Sequence, residues 1–188
     1  MNKQEENPFN YNIFLIGFMG VGKSAVAKAL RGELGMEMAE MDGVLAEREG
    51  MSISDIFRTY GEEYFRSIET ELLTELKDRK GLIVSCGGGT AMREENVRKM
   101  KENGKVVLLR AKPQTVLERV KDSRERPLLK GNKNVAYIAA LMEERSGRYE
   151  AAADAVIDTD CKTVRQICEE LIYKLKGMDE EDVSNVLS

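Results

Sequence analysis

Short apolar runs alternate along this chain with stretches whose apolar residues recur every three or four positions. Ile13-Phe14-Leu15-Ile16, Leu82-Ile83-Val84, Val106-Val107-Leu108-Leu109 and Ala155-Val156-Ile157 are unbroken runs of strand length, the pattern of strands buried on both faces. The weaker run Met36 to Ala39 predicts a fifth strand. Val26, Ala29, Leu30 and Leu34 predict a helix after the first strand, and Phe65, Ile68, Leu72 and Leu76 another. Pro113 suits a first helical position ahead of Val116, Leu117 and Val120, and Val164, Ile167, Cys168, Leu171 and Leu175 predict a last amphipathic helix. Strands that alternate with helices predict an α/β fold around a parallel sheet.

The pattern breaks in two places. Between Lys121 and Lys133 the chain turns charged and keeps only Pro127-Leu128-Leu129 as an apolar group, which predicts a mobile flap. From Met178 the residues are acidic and mostly polar, which predicts a frayed tail over 178–188 and an end to the domain proper near Lys176. No internal repeat is visible, and 188 residues suit a single domain.

Charge and composition narrow the chemistry. A net charge of −4 with scattered cations gives no basic field for nucleic acid. The polar start, Met1 to Asn10, lacks the apolar core of a signal peptide, and no run reaches the length of a membrane span. A cytoplasmic protein is expected. Cys86, Cys161 and Cys168 have no metal-binding spacing, and Cys168 reads as helix packing. Histidine is absent, so a proton acceptor must be a carboxylate or a lysine.

The densest chemistry lies in Gly17-Phe18-Met19-Gly20-Val21-Gly22-Lys23-Ser24, directly after the first strand. Gly, four residues, then Gly-Lys-Ser is the P-loop spacing, whose glycines let backbone N–H groups turn onto phosphate oxygens. Lys23 would reach the β- and γ-phosphates and the Ser24 hydroxyl would hold Mg²⁺, while the helix opening near Gly22 aims its positive end at the same anion.

A phosphate loop alone does not name a reaction, so the polar residues at other strand ends must do so. Glu40 and Asp42 follow the second predicted strand, where an open α/β sheet places its ligand crevice; from position alone they are equally well two solvated loop acids. Gly87-Gly88-Gly89 ends another strand and leaves room for a ligand to touch backbone. Arg66 follows Gly61-Glu62-Glu63-Tyr64-Phe65 at a helix start, where a surface pair with Glu62 is the plainer explanation. Arg126 lies in the flap and Arg145 on the following helix.

Taken in order and spacing, these elements resemble the shikimate kinases over roughly residues 12–176: the P-loop, Met41-Asp42, Gly-Glu-Glu-Tyr-Phe-Arg, the Gly87 triplet, Arg126-Pro127-Leu128-Leu129, and Glu144-Arg145 through Tyr149. The resemblance implies a three-layer α/β/α P-loop kinase fold with a five-stranded parallel sheet and a mobile lid over about 121–133. It implies phosphorylation of the 3-hydroxyl of shikimate by ATP with one Mg²⁺; a monomer is the default expectation. By position, Gly20, Val21, Gly22, Lys23, Ser24 and Ala25 match the phosphate loop, with Ser24 on the metal. Asp42 matches the aspartate that binds the ring hydroxyls and serves as base, Arg66 and Arg145 the pair that clamps the substrate carboxylate, and Gly88 a backbone contact to the ring. Arg126 matches the lid arginine over the phosphates, and Arg119 the arginine near the adenine.

Two positions depart from the family's pattern. Glu40-Met41-Asp42 stands where Asp-x-Asp is usual, so altered metal affinity is expected. Gly147-Arg148-Tyr149 replaces a common Pro-Leu-Tyr, which bears on the local helix and makes Arg148 an alternative partner for the carboxylate. Competing readings are a kinase of another polyol acid such as gluconate, a nucleoside monophosphate kinase, and a noncatalytic nucleotide-binding regulator.

Overall fold

All residues of strand β1 (Asn12–Ile16) are buried, which requires neighbours on both edges and cover on both faces. It lies between β3 (Leu82–Ser85) and β4 (Gly104–Arg110), with Phe14 beside Val84 on one side and Val106 on the other. β2 (Glu37–Glu40) and β5 (Ala155–Asp158) form the edges, giving the order β2-β3-β1-β4-β5 with every pairing parallel. The computed structural model describes residues 8–120 and 134–186; the predicted lid and Arg126 lie outside them.

Parallel neighbours cannot be joined by hairpins, so helices carry the crossovers. These are α1 (Lys23–Leu34), α2 (Met41–Glu49), α3 (Ile53–Glu75), α4 (Glu94–Asn103), α5 (Pro113–Val120), α6 (Val135–Ala152) and α7 (Val164–Val186). They cover both sides of the sheet, with α1 packed on α7 and α3 on α4. The chain runs from β1 out to β2, back to β3, then past β1 to β4. That reversal opens a crevice at the carboxyl ends of the central strands. Asn12, fully buried, ties their other ends: its amide donates to Arg79 O at 2.8 Å and its Oδ1 accepts from Leu82 N at 3.0 Å.

The five predicted strands are all present, and α5 opens on Pro113. On α1 the buried side chains are Val26, Ala27, Leu30 and Leu34, with Ala29 only partly buried. α3 is interrupted at Gly61, whose φ of 84° and ψ of 172° no longer propagate the helix, so Arg66 lies near the start of its second segment, as expected. One expectation changes: the described residues after Met178 are not a frayed tail. α7 continues to Val186, because the Tyr11 hydroxyl donates to Asp179 at 2.9 Å and Lys105 pairs with Asp182 at 2.8 Å.

Candidate active site

The loop between β1 and α1 sits at the head of the crevice. Gly22 caps α1 in a left-handed conformation, leaving the first backbone N–H groups of the helix directed at the loop. Lys23 Nζ donates to the carbonyls of Gly17 at 2.8 Å and Phe18 at 3.1 Å, which holds the ammonium over the loop. Ser24 and Ala25 are exposed on the first turn. Arg119, from α5, donates to Val21 O at 3.0 Å, Thr159 Oγ1 at 3.0 Å and Thr159 O at 3.1 Å. It therefore joins the phosphate loop to the end of β5.

β2 delivers the acids. Glu40 closes the strand opposite Ser85, and Asp42 follows on the first turn of α2, exposed to the crevice. One oxygen of Glu40 is buried without a hydrogen-bond partner. The glycine triplet after β3 fills the space between these acids, the loop and α3. A Cβ at Gly87 would lie 2.8 Å from Asp42 Oδ1 and 2.9 Å from Glu69 Oε1, one at Gly88 would lie 3.9 Å from Gly17 O, and one at Gly89 would overlap the Arg66 guanidinium. A side chain at 89 would thus displace the Arg66 guanidinium from its place against the backbone.

Arg66 pairs with Glu62 at 3.0 Å, the surface pair its spacing suggested, and also with Glu69 at 2.5 Å. Burial alone would lower its pKa, but the carboxylates of Glu69 and Glu62 together hold it above the ordinary value. Its guanidinium also lies over the rings of Phe65 at 5.4 Å and Phe57 at 5.9 Å. Arg145 reaches the same region from α6 and sits 6.0 Å from the Phe18 ring. Arg148 is exposed and donates to Met92 O at 2.9 Å. α6 runs unbroken through Gly147, so the missing proline leaves the helix intact.

Four further side chains build the site. Glu69, with no exposed side-chain surface, accepts from Thr90 Oγ1 at 2.7 Å while it holds Arg66. Burial raises its pKa, and Arg66 and Thr90 only partly offset this. Asn96 donates to Thr90 O at 3.0 Å and fixes that turn. Tyr149, also buried, donates from its hydroxyl to Gly88 O. An acid at position 69, on the same helical stripe as Phe65 and Leu72, was a legible signal of a buried charge. Nothing in the sequence marks the partner of Tyr149.

The cysteines stay outside the chemistry. Burial drives the Cys86 thiol far up in pKa, with Met100 Sδ at 3.8 Å, and pushes Cys168 up to about 11. A cavity of about 430 Å³, lined by Tyr11, Arg79, Lys80, Lys101 and Lys105, opens at the amino ends of β1, β3 and β4 and meets none of the site residues.

The site that results joins a phosphate loop, an exposed aspartate and two arginines across one glycine turn. A family model described as Shikimate kinase matches residues 19–176. The shikimate kinase of a Sulfurihydrogenibium species is 44% identical over 165 residues, covering 88% of this chain and 98% of its own length. The structure of shikimate kinase from Acinetobacter baumannii in complex with shikimate matches with a TM-score of 0.84 at 31% identity, over 89% of this chain and 94% of that one. Shikimate kinase from Aquifex aeolicus matches with a TM-score of 0.78 at 38% identity, over 89% and 98% of the two chains. On motif, fold and sequence together, the chain belongs to the shikimate kinase family.

Proposed function

We propose that this kinase transfers the γ-phosphoryl group of ATP to the 3-hydroxyl of shikimate, giving shikimate 3-phosphate on the route to chorismate and the aromatic amino acids. The observation that carries this reading is the convergence of Asp42, Arg66 and Glu69 on the Gly87–Gly89 turn, which itself lies against the phosphate loop. A small polyhydroxy acid needs carboxylate oxygens for its hydroxyls and guanidinium forks for its own carboxylate. Asp42 supplies the first, and Arg66 and Arg145 the second.

In the transfer, the 3-hydroxyl oxygen forms a bond to the γ-phosphorus as the bond to the β,γ-bridging oxygen breaks. The hydroxyl proton passes to Asp42, and ADP leaves with the bridging oxygen. Such a reaction asks the protein mainly for alignment and for neutralisation of charge on the equatorial oxygens. Lys23 and the N–H groups of Gly20 to Ser24 do this from the loop side. Arg126, in the lid, would complete the cover and exclude water, and Arg119 would border the adenine.

The Ser24 hydroxyl and the orphaned Glu40 oxygen are hard donors of the kind Mg²⁺ prefers, so the residues present fit the ion. Bound there, Mg²⁺ neutralises charge on the β- and γ-phosphates. The same reading makes the chain one catalytic unit, a monomer acting in the cytoplasm. ADP release by purified protein, with ATP and Mg²⁺, with and without shikimate, tests it. Shikimate-dependent release is expected; ATP binding without such release would point to a regulator or another acceptor.

A further inference from the structure

The contacts of Tyr149 have a second aspect beyond satisfying a buried hydroxyl. The phenol is a single donor with two lone pairs, and its proton is committed to Gly88 O. Arg145, one turn earlier on α6, lies beside the same phenol, and the charges of Arg145 and Arg66 both act on it. Arginine can only donate, so the lone pairs that the Gly88 bond leaves over are the side of the phenol that suits it. Water cannot compete, because Tyr149 is 4% exposed. Tyr149 therefore ties helix α6, beside the Arg145 guanidinium, to the turn at Gly88.

We propose that Tyr149 is a positioning residue for the substrate, fixing the Gly88 peptide and the Arg145 guanidinium relative to one another so that ring and carboxylate are received in one geometry. This rests on shikimate being the acceptor. Fixing the Gly88 carbonyl also fixes the plane of the next peptide, and hence where the Gly89 N–H points. Removal of the hydroxyl would leave the half-buried Gly88 carbonyl without its donor and loosen the Arg145 side chain beside it.

The α6 helix offers an internal control. Arg148 ties the same helix to the same connection through Met92 O, but touches neither Gly88 nor Arg145. If Tyr149 merely docks α6, Tyr149→Phe and Arg148→Met will have similar consequences. If it positions the substrate site, only the first will affect shikimate.

The experiment measures shikimate and ATP dissociation constants by calorimetry, together with steady-state kinetics, for the full chain. Tyr149→Phe is expected to weaken shikimate binding and raise its KM by about tenfold, with ATP affinity within about twofold of wild type. Arg148→Met should shift neither. In an Arg145→Met background the Tyr149→Phe penalty should shrink, because the two act on one contact. Unchanged shikimate affinity in Tyr149→Phe, equal effects of Tyr149→Phe and Arg148→Met, or parallel loss of ATP and shikimate would overturn the inference. Wild-type protein that binds ATP but not shikimate would instead overturn the substrate reading on which it rests. Should Tyr149→Phe not fold, proton NMR of the wild type decides: a slowly exchanging Tyr149 hydroxyl proton that shifts on adding shikimate is expected, and its absence or indifference to shikimate counts against the role.

Discussion

The wholly buried carboxylate of Glu69 lies 2.5 Å from the Arg66 guanidinium, and its other oxygen accepts from Thr90. Arg66 is thereby held at the turn where substrate would dock. The pair looks like a stabilising ion pair, yet burial raises the pKa of Glu69 despite Arg66, so in the folded protein its ionised form is less favoured than in the unfolded chain.

That direction has a consequence for pH. The folded state binds this proton more tightly than the unfolded state, so Glu69 contributes stability at low pH that is lost as pH rises between the ordinary carboxylate value and the raised one. Glu69→Gln is neutral throughout and should lack this slope. Its stability at pH 7 should fall within about 1 kcal/mol of wild type, while its shikimate KM rises several-fold because Arg66 has lost its tether. Thermal melts across pH, set beside kinetics, check both parts; a variant destabilised equally at every pH would refute the first.

Arg66→Ala should weaken shikimate affinity by about two orders of magnitude, as expected for a lost charge-assisted contact, and leave ATP affinity nearly intact. Direct binding measurements separate the two ligands. Equal loss of both would show that Arg66 supports the whole crevice instead of clamping a carboxylate.

Lys23→Ala removes the ammonium that the loop carbonyls of Gly17 and Phe18 hold in place. Turnover should fall by at least about a hundredfold, because this charge acts on the transferring phosphoryl, whereas the melting temperature should change little. Near-normal kcat in single-turnover experiments would contradict the assigned role.

The α7 extension makes an opposite prediction. Asp179 and Asp182 anchor it to Tyr11 and Lys105, at the amino ends of β1 and β4, away from the crevice, and it lies beyond the residues that match the family model. Truncation after Lys176 should cost roughly 1–2 kcal/mol of stability through the lost Tyr11 bond and helix contacts, with kcat/KM for shikimate unchanged. Urea unfolding and the ADP assay on the truncated chain provide the comparison.

Most of the architecture was legible because it rests on short-range pattern. A strand buried on both faces needs an unbroken apolar run, as Ile13–Ile16 of β1 and Leu82–Val84 of β3 supply, and the edge strand β2 gave a weaker signal because its Met38 and Ala39 remain half-exposed. Phosphate-loop spacing is likewise local, since the glycines, Lys23 and the start of α1 act within a few residues of one another. The break in α3 at Gly61 and the docking of α7 were not legible. The first depends on one residue's backbone conformation, and the second on partners 168 and 77 positions away.

Residue types and their spacing therefore determined the α/β class, the phosphate loop and the acids and arginines available for chemistry. Only the tertiary structure decided which of them work together: that Arg66 is held by Glu69, that Arg148 turns away to Met92, and that Tyr149 reaches Gly88 across 61 positions of chain. The physical reason is that a motif records what a loop can bind, whereas the partner of a buried polar group is chosen by whichever donor or acceptor the packed elements bring within about 3 Å of it.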